Sequence, residues 1–115
     1  MHELSIISQI VDIATTEANK AGVNEIDAIE LEVGELAGIE FSAFEFAWEE
    51  GVSQSVLEHA ACNIHRVAGK ASCHHCQTVF DIRELFDPCP SCGSYENTII
   101  KGKELIIKTL TFNTN

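Results

Sequence analysis

Cations are scarce in this chain. Across 115 residues, seven Lys and Arg stand against eighteen Asp and Glu, for a formal net charge of −11. A polynucleotide binder needs Lys and Arg to replace phosphate counterions, so this balance argues against DNA or RNA as partner. It leaves a metal cation or a basic protein surface. No apolar run approaches the roughly eighteen residues that a bilayer requires, so no membrane-spanning helix is expected. Met1-His2-Glu3-Leu4 lacks the basic region and cleavage site of a signal peptide. Neither an internal repeat nor a low-complexity linker is visible.

What is present suffices for a core. Apolar residues make up 45% of the chain, which argues against disorder and for one domain, or a small domain carrying a metal-stapled lobe. The charge is lopsided. Residues 1–61 hold thirteen acids against the single Lys20, whereas residues 62–115 hold six Lys and Arg against five acids. Five cysteines are an odd number, and paired thiols beside a free one suit a reducing cytoplasm better than a secreted disulfide framework.

Four of those cysteines form the strongest motif. Cys73-His-His-Cys76 is followed after twelve residues by Cys89-Pro-Ser-Cys92-Gly93. Two Cys-x-x-Cys pairs at this separation fit a tetrathiolate Zn²⁺ site, each pair forming one tight knuckle. Pro90 stiffens the second knuckle, and Gly93 can adopt the backbone angle that points amides at sulfur. Two disulfides or four unconnected thiols are the plainer alternatives. The motif signals a metal; it does not signal a job. Cys62 reads as a small packed hydrophobe.

The rest of the chain supplies an α+β frame. Leu4, Ile7, Val11, Ala14, Ala18 and Ala21, widened by Ile6, Ile10 and Ile13, predict an amphipathic helix over residues 4–21, ended by Gly22 with Lys20 in the last turn. Ile29, Leu31 and Val33 alternate with Glu30 and Glu32, a half-buried strand. Ser42-Ala-Phe-Glu45 has the form of a capping box, with Phe41 and Phe46 as a hydrophobic staple. The helix it opens turns Phe44, Ala47 and Trp48 inward and runs to about Val52. A second strand is expected over Cys62–Val67, and two more over Asn97–Ile100 and Glu104–Phe112 about a turn at Lys101-Gly102-Lys103. The last of these, apolar on both faces, reads as a central strand pairing back with the N-terminal sheet. Val79, Phe80, Ile82, Leu85 and Phe86 supply an apolar cluster under the zinc, too small to fold without metal. The expectation is two helices on a small three-stranded sheet, residues 1–66 plus about 101–115, with a zinc-ribbon lobe, residues 67–100, inserted.

A second metal site is readable at Met1-His2. The α-amine, the His2 amide and the His2 imidazole close fused chelate rings, and the Glu3 amide could complete a planar four-nitrogen set. That geometry suits Ni²⁺ or Cu²⁺ and is poor for Zn²⁺.

Met1-His2-Glu3-Leu4-Ser5, Val33-Gly34-Glu35, Ser42-Ala-Phe-Glu45-Phe-Ala-Trp48 and the Cys73/Cys76/Cys89/Cys92 quartet together resemble the HypA/HybF family, over essentially the whole chain. The resemblance implies a nickel metallochaperone of [NiFe]-hydrogenase maturation. It implies Ni(II) cargo held by Met1, His2 and Glu3, with Glu40 as a further carboxylate candidate. It also implies structural Zn(II) on Cys73, Cys76, Cys89 and Cys92. The partners implied are the maturation GTPase HypB, the hydrogenase large subunit and, in some relatives, urease maturation proteins. A cytoplasmic monomer or weak homodimer is expected. Where some members place a histidine just after each cysteine pair, this chain has Gln77-Thr78 and Gly93, with His74 and His75 inside the first knuckle instead.

Three other readings compete. A nucleic-acid-binding ribbon would need a basic stripe. A rubredoxin-like electron carrier would use the same sulfur geometry for iron, but the first knuckle lacks the matching glycine. An enzyme is not expected, because spacing assembles no nucleophile–base–orienter set and four thiolates leave no open coordination position.

Overall fold

Helix α1 (Glu3–Ala21) forms because apolar side chains recur at steps of three and four, and it buries Ile6, Ile7, Ile10, Ala14 and Ala18. Its end is a Schellman motif. Gly22 adopts φ +73°, the Gly22 amide donates to Asn19 O, and the Val23 amide reaches back to Ala18 O at 3.0 Å. The computed structural model describes residues 3–112. The buried stripe is narrower than the sequence pattern: Leu4 and Ile13 are about half exposed, since they lie at the two margins of the apolar face.

The described residues divide into two units, each with its own core: residues 3–31, 39–64 and 107–112, and residues 32–38 and 65–106. The elements α1, β1 (Ala28–Gly34), α2 (Phe41–Gly51), β2 (Ala61–Val67), β3 (Lys70–Cys73), β4 (Val79–Asp81), β5 (Asn97–Lys101) and β6 (Leu105–Thr111) follow in chain order. They make two helices and two three-stranded sheets, ordered β2-β1-β6 and β4-β3-β5. The α+β expectation holds.

In the first unit, α1 and α2 pack on each other over Phe44, Trp48 and the α1 isoleucines. Phe44 and Trp48 stack at a tilt, with centroids 5.9 Å apart. Gly51 permits the approach, because a Cβ there would meet Ile7 Cγ2 at 2.5 Å. Strand β1 alternates as expected and buries Ile29 and Leu31 in this unit; Val33, within residues 32–38, is buried as well.

Strand β1, not β6, is the central strand of the first sheet. The Asp27 amide donates to Thr111 O and the Ala61 amide to Asp27 O, so partners flank the start of β1 on both sides. Apolar residues on both faces of β6 do not make it central, and Ile106 is half exposed. The start of α2 also differs. Its N-cap is Glu40, whose carboxylate accepts from the Ala43 amide, so Ser42 lies inside the helix and no Ser42–Glu45 capping box forms. No staple forms either, since Phe46 is 87% exposed.

In the second unit, β3 is central and antiparallel to both neighbours, with Ala71 opposite Phe80 on one side and Ile99 on the other. The core is Leu36, Ala71, Cys73, Phe80, Ile82 and Cys89, with Ile99 packed against it. Of the expected apolar cluster, only Phe80 and Ile82 are buried; Val79, Leu85 and Phe86 are exposed. Alternation explains the difference for Val79, which lies on the opposite face of β4 from Phe80. The backbone is tight here, for a Cβ at Gly34 would fall 1.9 Å from Gly102 O.

Candidate metal centre

The two knuckles are built alike. In the first, the Gln77 amide donates to Cys73 O at 3.0 Å and the Cys73 amide to Thr78 O at 3.0 Å. In the second, the Gly93 amide donates to Cys89 O at 2.8 Å and the Cys89 amide to Ser94 O at 2.8 Å. The residue after each pair takes the left-handed conformation, φ +60° at Gln77 and +78° at Gly93. The chain thus carries a short duplicated turn, Cys-x-x-Cys followed by Gln or Gly and then Thr or Ser. The matching hydroxyl residues after the cysteine pairs were the sequence signal that motif spacing alone passed over.

Gln77 occupies a position that favours glycine. A non-glycine residue there costs on the order of 1 kcal/mol, partly offset by the extra chain entropy that glycine loses on folding. Gln77 is exposed, so Gln77→Gly is expected to raise the urea midpoint of the zinc-loaded protein by a margin equivalent to about 0.5 kcal/mol.

All four Sγ atoms lie within 4.8 Å of one another. Across the knuckles, Cys73 Sγ and Cys92 Sγ are 3.5 Å apart, as are Cys76 Sγ and Cys89 Sγ. A tetrahedron with Zn–S bonds of about 2.3 Å has edges of about 3.8 Å, so the quartet has the size of a Zn²⁺ coordination shell. Cys73 and Cys89 are buried at its base, while Cys76 and Cys92 face outward.

The protonation chemistry agrees. The Thr78 side chain and amide hold the Cys76 thiol down to about 6, with the Cys76 Sγ to Thr78 Oγ1 distance 3.1 Å. Amides of Cys76 and His75 lower Cys73. Cys92 moves the other way. Although the Ser94 amide favours its thiolate, sharing protons with Cys73, together with burial and the other two sulfurs, pushes it up to about 12. Four sulfurs this close cannot all ionise without a cation between them. A divalent ion would hold all four as thiolates, and the closed set leaves no position for a substrate.

The remaining candidates lie elsewhere. Glu3 sits in the first turn of α1, and Met1 and His2 fall outside the described residues. Glu40 is the cap of α2. His74 Nε2 bonds Thr98 Oγ1, and His75 Nε2 lies 3.3 Å from Glu96 Oε2; both are exposed and neither joins the quartet. Cys62 is also outside it, a half-buried thiol that desolvation and the negative charge of Glu45 push up to about 11. Among the described residues the quartet is the one group of His, Cys, Asp or Glu placed to hold a metal ion. Among the described residues, no helix is long and apolar enough to cross a membrane.

Fold and site together define a small α+β protein with a zinc-ribbon metal centre. Residues 1–112 match the family model described as "Hydrogenase/urease nickel incorporation, metallochaperone, hypA". The chain is 42% identical to the hydrogenase maturation factor HypA of Parabacteroides distasonis over 110 residues, covering 96% of each chain. It is 41% identical to that of Geobacter sulfurreducens, covering 96% of this chain and 97% of the relative. The solution structure of the Ni metallochaperone HypA from Helicobacter pylori superposes with a TM-score of 0.70 at 25% identity over the full length of both chains. The chain therefore belongs to the HypA family, whose members are nickel metallochaperones of hydrogenase maturation.

Proposed function

We propose that this chain carries Ni²⁺ at its amino end and hands it on during maturation of [NiFe]-hydrogenase, while a permanent Zn²⁺ on Cys73, Cys76, Cys89 and Cys92 holds the second unit together. The observation that carries this reading is the whole-chain family match together with the Met1-His2-Glu3 start. The nickel ligands are the Met1 amine, the His2 amide and imidazole, and the Glu3 amide. Deprotonated amides favour a planar ion and lose affinity as pH falls, which makes the cargo selective and releasable. Glu40 is a candidate fifth donor, and its carboxylate would have to share or leave the α2 cap to serve. Residues 1–66 with 101–115 form the cargo lobe and residues 67–100 the zinc lobe. The receivers are the GTPase HypB and the hydrogenase large subunit, with urease maturation proteins as a second route. The protein acts in the cytoplasm as a monomer or weak homodimer, and it is a carrier, not an enzyme.

Equilibrium dialysis of untagged protein tests this. One zinc per chain before dialysis, and one further nickel after it at neutral pH, is the expected result; nickel that only replaces zinc would contradict it.

A further inference from the structure

Among the described residues, no ion pair reaches the outward face of α2. Ser42, Glu45, Phe46, Glu49, Glu50 and Ser53 recur at steps of three and four, and all are exposed. Phe46, at 87% exposure, sits among three carboxylates. This is a poor arrangement for the helix by itself. Glu45 and Glu49 are like charges one turn apart, which repel. Glu49 and Glu50 stand in the last turn, where the helix dipole disfavours anions, and no basic residue occupies that turn. Among the described residues none of these three carboxylates is ion-paired to Lys, Arg or His. Lys20, the one lysine of α1, is taken by Glu17. Local rules broken without internal compensation point outward, to groups supplied by another molecule.

The geometry points to a docking surface for a cationic amphipathic segment of a partner protein. One apolar side chain of that segment seats on Phe46, and Lys or Arg side chains around it meet Glu45, Glu49 and Glu50. Charge complementarity selects this occupant, since an acidic or purely apolar segment would leave three carboxylates facing like charge or stripped of water. At about 1.5 Å per residue, the eleven residues of α2 span about 16 Å, room for roughly three turns of a partner helix. The surface does not depend on nickel, so its failure and that of the cargo reading are separable.

The test uses zinc-loaded, nickel-free protein and a fluorescein-labelled peptide of Leu and Lys at helical spacing, read by anisotropy. Binding is expected to weaken with salt. Phe46→Ala is expected to weaken it by about tenfold, as for a buried aromatic anchor. The pair Glu49→Gln/Glu50→Gln should weaken it comparably, whereas Asp12→Asn/Glu17→Gln on α1, an equal change of charge, should alter it by less than about twofold. Absence of binding by the unaltered chain would overturn the proposal. So would equal binding of a Leu/Glu peptide, an unchanged Phe46→Ala, or equal losses in the two charge pairs. All substituted residues are exposed, and zinc content with far-ultraviolet circular dichroism verifies that each variant is folded.

Discussion

Cys73→Ala is expected to unfold residues 32–38 and 65–106 while leaving most of the helical signal of α1 and α2 in place. Cys73 is 1% exposed and belongs both to the sulfur quartet and to the apolar core of its unit. That core holds only six buried side chains, two of them zinc-site cysteines. Bound structural zinc contributes on the order of 10 kcal/mol to small metal-stapled domains at neutral pH, more than so few contacts can replace. The first unit has its own larger core, with Phe44, Ile7, Ile26, Ile29, Leu31 and Leu57 fully buried. Amide exchange in the variant should therefore lose protection across β3, β4 and β5 and keep it in α1. Removing zinc with a chelator should do the same. Persistent protection of β3 in zinc-free protein would show that the metal is dispensable to the fold.

His2→Ala is expected to abolish nickel binding without changing zinc content. It removes the imidazole that closes the proposed fused chelate rings at the amino end. Even outer-shell partners commonly alter metal affinity by about 10- to 100-fold, so loss of a primary ligand should exceed that. The site uses no side chain of the apolar cores, and the thermal transition of the nickel-free protein should not move. Isothermal titration checks the binding; unchanged affinity in this variant would remove the amino end from the site.

Much of this was legible from residue types because the physics is local. The cysteine quartet is read from spacing, since each pair must share one turn to reach one ion. Strand β1 is read from Ile29, Leu31 and Val33 alternating with acids, and α1 from its isoleucine and alanine stripe. What stayed hidden depends on neighbours. Strands β3 and β4 span four and three residues, too short for a period, and Lys70-Ala71-Ser72 carries no strand signal of its own. The place of β6 at a sheet edge is set by what pairs with β1, not by its own pattern. Ser42 and Glu45 satisfy the capping-box formula, yet the chain turns helical two residues earlier because the longer Glu40 side chain reaches the Ala43 amide. Phe46 and Phe86 were expected inside, the first as half of a staple and the second under the zinc, because apolar side chains usually are; both stand in solvent. The proposed amino-terminal chelate rests on residue types alone, as one that three consecutive residues can form whatever the fold behind them.

Nickel K-edge X-ray absorption, on untagged protein loaded with one Ni²⁺ per chain beside its zinc, bears most directly on the separation of cargo from structural metal. A planar set of nitrogen donors, with no sulfur in the first coordination sphere, is the expected spectrum. Sulfur scattering at nickel would place the cargo among Cys73, Cys76, Cys89 and Cys92 and contradict it.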